Sequence, residues 1–375
     1  MIYLDYSATT PVDEDVLEQF TKDNQDYYAN PNSLHNLGMI ANNEINRATK
    51  DILELLELND HELIYTSGAS ESNNLAIKGL AFLKKNHGKH IITSNFEHAS
   101  VVSCLNFLSK IGYFIDVVDS DDDGLVNLAE LEELITEDTF LVSIGAVNSE
   151  TGIIQDLKAI KKVLTKHPKI YFHSDMTQAI GKIKLDYNLV DLISFSAHKF
   201  YGLKGIGGLI IRNKIKLVPL IHGGKSTTKH RSGTPATPLM LSMRNALVKM
   251  YDGFDEKLKH VKEIHDYLTK ELNKLPRTVV NSNGYSLNQI INISFLDYLS
   301  SIIHEKMSDN GICISTSTAC GSLNPVSLTV KRLTGSDERS RTSVRVSISH
   351  LTSKKEIDEF ISVYKEIAKL WRLFE

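Results

Sequence analysis

The sequence predicts an α/β fold: a mostly parallel sheet flanked by helices, with a smaller α/β domain beside it. Three observations carry this. Six short runs, ELIYTS (62–67), HIITS (90–94), YFIDVVD (113–119), FLVSIGAV (140–147), IYFHSD (170–175) and LISFSAH (192–198), are rich in β-branched and aromatic residues and apolar on both faces, as parallel strands buried on both sides are. Amphipathic stretches at 71–85, 99–110, 127–136 and 157–166 alternate with them, and that alternation implies βαβ units. After Gly224 the rhythm changes.

The later part begins with the irregular polar segment KSTTKHRSGTPATP (225–238) and a long helical stretch at 239–275. A strand NQIINISF (288–295), a helix at 299–310, the run GICISTSTACGSLNPVS (311–327), a half-buried strand RTSVRVSIS (341–349) and a closing amphipathic helix at 354–370 follow. We expect a large domain at 15–255 and a small one at 256–375, with the arm 1–14 packed on the latter. A chain of 375 residues, 42% of them hydrophobic, is long enough for two cores.

Bulk composition excludes several classes. The net charge of −4 comes from interspersed acids and bases, so no basic stripe points to direct nucleic-acid binding. No apolar run is long enough to span a bilayer, and MIYLDYSATTPVDEDV lacks the basic leader and apolar segment of a signal peptide. The three cysteines, Cys104, Cys313 and Cys320, are odd in number and lack CxxC spacing, which argues against a disulfide framework or a structural zinc site. The expectation is a cytoplasmic protein without a metal.

In open parallel sheets a ligand binds at the carboxyl ends of the strands. There the sequence places Ser67-Gly68-Ala69-Ser70, Glu97-His98, Asn148, Asp175 and His198-Lys199. Lys199 ends a buried strand beside His198; a partly desolvated lysine near other cations has a lowered pKa and is nucleophilic toward carbonyls. The cofactor that uses such an amine is pyridoxal phosphate, which also needs a carboxylate for its ring nitrogen. Asp175 offers one, although a helix N-cap is an equally good reading of that residue. Ser67 to Glu71, a strand end turning into a helix, offers a phosphate cup or an ordinary capping box. Ser196 and His198 are further phosphate donors. His98 is a ring-stacking candidate, or a cap. Asn148 and Gln178 are candidates for the ring's phenolic oxygen. KGIGG (204–208) lacks the full dinucleotide spacing, and the GGLIIR that follows reads as strand.

The motifs in order are YLDYSATTP, TSGASESNNLAIKG (66–79), EHAS (97–100), VNSETG (147–152), SDMTQAIGK (174–182), SFSAHKFYGLKGIGG (194–208), RSGTP (231–235) and STACGS (317–322). This series resembles the class V aminotransferases among the fold-type I pyridoxal phosphate enzymes, and within them the NifS/IscS-type cysteine desulfurases, across residues 3 to about 370. The resemblance implies a seven-stranded-type sheet in the large domain and pyridoxal 5'-phosphate held as an imine on Lys199. Ala69, Ser70, Asn148, Gln178, Ser196 and His198 are then cofactor contacts, Asn148 also borders the substrate, and Asp175 pairs with the ring nitrogen. His98 stacks on the ring and helps deprotonate the substrate thiol or protonate the leaving alanine. Thr234 reaches the neighbouring subunit's site in a homodimer, and Arg345 grips the substrate carboxylate.

By the same resemblance Cys320 is the nucleophile. It lies among small polar residues that read as a mobile loop, unlike Cys313 and Cys104, which read as small hydrophobes. The implied reaction converts L-cysteine to L-alanine and leaves sulfur as a persulfide on Cys320. A sulfur-acceptor protein, an iron–sulfur scaffold or a tRNA-thiolation enzyme, then receives it. A selenocysteine lyase or another class V lyase or aminotransferase is the alternative. Two departures stand out: Ser70 replaces the family's usual Thr in the phosphate cup, and the segment after Cys320 is short.

Overall fold

In the computed structural model, which describes residues 1–86, 88–224, 226–316 and 326–371, the chain opens with a two-residue strand, β1 (Ile2–Tyr3). Seven strands then build the central sheet: β2 (His61–Thr66), β3 (His90–Ser94), β4 (Phe114–Val118), β5 (Thr139–Ser143), β6 (Tyr171–Asp175), β7 (Leu192–Ser196) and β8 (Gly207–Arg212). Their order is β2-β8-β7-β6-β5-β3-β4. Only β8 runs against the others, pairing antiparallel with β2 and β7.

The apolar runs become strands because both faces have somewhere to go. Ile91, Leu141, Leu192, Leu209 and Ile211 pack on one face under the helices Ala69–Lys84 and Ala99–Lys110. Their neighbours Ile92, Val142, Ile193 and Ile210 join the other core with helices Leu157–Leu164 and Thr237–Tyr251. Successive side chains on a strand point to opposite faces, so each doubly apolar run feeds two cores.

β4 departs from that expectation. It is the edge strand, with Phe114 and Val117 exposed, since no partner covers its far side. The helical stretch expected at 239–275 is two helices, Thr237–Tyr251 and Phe254–Leu272, broken where Gly253 takes a left-handed φ of 59°, a conformation glycine adopts without a Cβ penalty. Two helices unforeseen in the sequence, Glu14–Asp26 and Asn36–Leu55, pack on Thr237–Tyr251.

The remaining strands are β9 (Thr278–Val280), β10 (Ile290–Phe295), β11 (Ile312–Cys313) and β12 (Ser343–Ser347). β9, β10 and β12 form an antiparallel sheet, and β11 pairs parallel with β1. These elements and the helices Phe254–Leu272, Ser300–Asp309 and Lys354–Trp371 enclose a core of their own, with Leu4, Leu268, Phe295, Met307, Val346 and Phe360 inside. Beyond β1 the arm crosses to the central sheet, where the Thr10 backbone N–H donates to the His198 carbonyl at 2.9 Å. Among the described residues no helix is long and apolar enough to cross a membrane.

Candidate active site

The carboxyl ends of β2, β3, β6 and β7 meet the N-terminal arm around a cavity of about 510 Å³. Ala69, Ser70, His98, Asn148, Asp175, Gln178, Ser196, His198, Lys199 and Arg345 all line it. Local chemistry explains why each is there.

β7 ends at Ser196, and one turn of 3-10 helix, Ala197–Lys199, swings Lys199 back over the sheet end. The Lys199 amine donates to the Ser7 and Ala8 carbonyls at 2.6 and 2.7 Å. Burial, and then the Arg345 guanidinium, push its pKa down to about 8, against the pull of Asp175 and Asp5. The depressed lysine expected from the sequence is thus present, with burial as the main cause. His198 is pushed to about 4, by burial first and then by the nearby lysines 199, 182 and 204, so its imidazole is neutral; Nδ1 pairs with Thr9 Oγ1 at 3.1 Å.

Asp175 closes β6. Its Oδ2 accepts from Asn73 Nδ2 at 2.7 Å and its Oδ1 from the Thr177 backbone N–H at 3.0 Å. It therefore caps a turn, as the alternative reading had it, but 176–182 is turn and not helix. His98 is the cap foreseen for it, and it also lines the cavity. Its Nδ1 accepts from the Ser100 N–H at the start of helix Ala99–Lys110, and its ring borders the cavity.

The cup at the end of β2 has Gly68 as N-cap, with no side-chain cap on helix Ala69–Lys84. Its first N–H groups are left without a side-chain cap, an arrangement that suits an anion. Glu71 accepts from the Ser67 N–H at 2.7 Å and pairs with Arg231 at 3.0 Å. Within KGIGG, Gly207 is the glycine that shapes this cup. A Cβ on Gly207 would lie 2.5 Å from the Phe195 carbonyl oxygen and 2.7 Å from Gly68 Cα, so β8 fits between β2 and β7 only without a side chain there.

Asn148 and Gln178 are held by protein partners. Asn148 Oδ1 accepts from the Glu150 and Thr151 N–H groups and the Thr151 hydroxyl, while Nδ2 donates to the Phe96 carbonyl. Gln178 Nε2 donates to the Ser7 carbonyl at 2.9 Å, and Oε1 accepts from the buried Lys182 amine. Each amide nitrogen keeps one proton for a ligand.

Arg345, 4% exposed, sits in β12 opposite Asn292. Nη2 donates to Asp5 Oδ1 at 2.8 Å and Nη1 to the Ser149 carbonyl at 2.9 Å, while buried Nε has no partner. A buried, partly satisfied guanidinium at the cavity wall suits a carboxylate ligand.

Thr234 is exposed and is not among the residues lining this cavity. Cys320 lies outside the described residues. Of the other thiols, Cys104 is buried and pushed up to about 11 by burial, and Cys313 is half-buried in β11.

Sequence reasoning missed Ser7, Ala8, Asn73 and Thr177, and placed Glu97 at a strand end without giving it a role. The arm residues act through backbone carbonyls, which carry no side-chain signal. Glu97 lines the cavity with Oε1 held by the Ser94 hydroxyl and the Gly145 N–H, and burial raises its pKa to about 7; its position after β3 was the available signal.

Residues 2–360 match the class-V aminotransferase family. The chain belongs to that family. Among class-V relatives, the cysteine desulfurase IscS of Buchnera aphidicola (subsp. Acyrthosiphon pisum) is 37% identical over 399 residues, covering 100% of this chain and 96% of the relative. A solved NifS-like protein superposes with a TM-score of 0.92 at 32% identity, covering 98% of this chain and 99% of that one. The structure of SspA in complex with cysteine matches with a TM-score of 0.82 at 32% identity, over 94% and 100% of the two chains. The class-V match thus spans all three sheets, and the seven-stranded, mostly parallel architecture expected from the sequence is the one observed.

Proposed function

We propose that this chain is a pyridoxal 5'-phosphate-dependent cysteine desulfurase, which converts L-cysteine to L-alanine and passes the sulfur on as a persulfide of Cys320. The observation that carries the reading is Lys199, a half-buried residue whose amine is lowered to about 8 and which lines the same cavity as Asp175 and Arg345. Relatives bearing the desulfurase name over nearly their full length support it.

The residues present fit the cofactor. Each Asp175 oxygen holds one protein donor, which leaves lone pairs for a pyridinium N–H. The uncapped helix start at Ala69 and Ser70, with Ser196 and neutral His198, suits the phosphate. When bound, pyridoxal phosphate supplies an electron-withdrawing ring that stabilises a carbanion at the substrate Cα. Asn148 and Gln178 each offer one amide proton to the ring oxygen, and Asn148 also borders the substrate. Thr234 serves the neighbouring subunit's cavity in a homodimer.

The chain's own groups then act in sequence. Arg345 holds the L-cysteine carboxylate. Lys199, released to the free amine, takes the Cα proton on Nζ, which a pKa near 8 allows at neutral pH. The Cys320 thiolate attacks the substrate sulfur, since the thiolate is the nucleophilic form. The C–S bond breaks, sulfur stays on Cys320, and the remaining carbon skeleton is protonated to alanine. We assign residues 15–255 to a large domain and 1–14 plus 256–375 to a small one, on the strength of their separate cores. We further propose a cytoplasmic enzyme whose acceptor is an iron–sulfur scaffold or a tRNA-thiolation protein.

The test is to incubate the purified protein with L-cysteine alone, measure alanine, and map persulfide by mass spectrometry. Alanine formation with persulfide on Cys320, abolished by Cys320→Ser while the cofactor stays bound, is expected. A Cys320→Ser protein that transfers sulfur to an acceptor at the wild-type rate overturns the assignment.

A further inference from the structure

Behind His98 runs a chain of hydrogen bonds whose directions are fixed by chemistry. Asn73 is fully buried, and its Nδ2 lies 2.7 Å from Asp175 Oδ2 and 2.9 Å from Ser100 Oγ. A carboxylate only accepts, so the amide must present its nitrogen, and the two N–H protons serve these two oxygens. Asn73 Oδ1 is left buried without a partner, a cost set against the two bonds its nitrogen makes. Ser100 Oγ, having accepted from Asn73, keeps its own proton, and His98 Nδ1 lies 2.8 Å away. The Ser100 backbone N–H also points at Nδ1, at 3.2 Å. Two donors converge on that one nitrogen, so Nδ1 carries the lone pair and the ring proton sits on Nε2.

We propose that Asn73 and Ser100 are positioning residues that lock His98 as the Nε2–H tautomer, tying the imidazole at the cavity wall to the Asp175 carboxylate. The inference rests on reading His98 as the residue that faces cofactor and substrate. Its consequence is specific: Nε2 of His98 carries a proton and can give a hydrogen bond to a substrate or cofactor atom. The partners of a histidine's second nitrogen decide which role the first can play.

The test is nitrogen-15 NMR of the histidine-labelled holoenzyme, with His98→Gln used to assign the resonance. Wild type is expected to show an unprotonated Nδ1 and a protonated Nε2. Ser100→Ala removes one of the two donors, worth about a fivefold fall in the tautomer ratio for one ordinary hydrogen bond, so both nitrogens should move toward averaged shifts. Ser100→Thr, which keeps the hydroxyl, should restore the wild-type pattern. Asn73→Ala should produce a smaller change in the same direction, because Ser100 keeps its proton but loses its orientation. A protonated Nδ1 in wild type, or a Ser100→Ala spectrum identical to wild type, overturns the proposal. The readout is a ring tautomer and not turnover, so a negative result here leaves the desulfurase reading standing, and an enzyme that makes no alanine leaves the tautomer measurable.

Discussion

Gly207→Ala tests whether the glycine run serves the phosphate cup. Gly207 pairs with Thr66 on one side and Ser196 on the other, the two residues from which the cup springs. An added Cβ would sit 2.5 Å from the Phe195 carbonyl oxygen and 2.7 Å from Gly68 Cα, where ordinary contact begins at 3.4 Å. The neighbours must therefore open by 0.9 and 0.7 Å, and because both are backbone atoms neither can rotate away. Overpacking of this kind costs about 1–3 kcal/mol. If the movement falls on Gly68 it displaces the helix start that would hold the phosphate, and the same energy weakens cofactor retention by about 5- to 150-fold. Gly205→Ala is the internal control: Gly205 has a φ of +87° and nothing within 4 Å of its Cβ position. It should lose only about 1–2 kcal/mol of stability, to backbone strain, with cofactor affinity near normal. The assay is equilibrium titration of the apoprotein with pyridoxal phosphate, followed by absorbance, alongside denaturant midpoints. A Gly207→Ala protein that binds cofactor and resists denaturant like wild type refutes the packing argument.

Further predictions follow from the same geometry. Arg345→Gln should raise KM for L-cysteine by about 10- to 100-fold, the worth of losing one charge-assisted hydrogen-bonded contact, with a smaller effect on kcat; steady-state kinetics with an unchanged KM contradicts its substrate role. His173 is fully buried between the Ser143 and Ser194 hydroxyls, and burial lowers its pKa to about 4. The unfolded chain therefore takes up a proton near pH 6.5 that the folded chain resists. The stability this imidazole contributes is complete above pH 6.5 and is lost as pH falls toward 4, by up to about 3 kcal/mol. His173→Gln should flatten the decline in urea midpoint between pH 6.5 and 4.5; an unchanged slope places the acid sensitivity elsewhere. His198, also lowered to about 4, adds to the wild-type slope, while Glu97, raised to about 7, loses stability in the opposite sense as pH rises from 4.5 to 7.

The central sheet was legible because parallel strands buried on both faces leave a strong mark: Leu192 and Ile193 go to opposite cores, and both must be apolar. β4 misled for the same reason, since Phe114 and Val117 look equally apolar in the sequence but lie on an edge. The break at Gly253 was hidden inside a continuous amphipathic pattern. Within the site, residues acting through side chains at strand ends, such as Asp175, His98 and Lys199, could be found from the rule that ligands bind there. Ser7 and Ala8 could not, because they hold the Lys199 amine with carbonyl oxygens that every residue possesses. Arg345 was reachable only through family resemblance: a strand such as SVRVS carries no local sign that its arginine turns inward to Asp5.

Reductive trapping is the most direct test of the central claim. The holoenzyme is treated with borohydride, digested, and searched for the pyridoxyl mass. The account predicts one labelled peptide, modified at Lys199. Lys182, a buried amine bordering the same water-sized space beside Lys199, is the built-in control: label at Lys182 in place of Lys199, or on no lysine at all, contradicts the account.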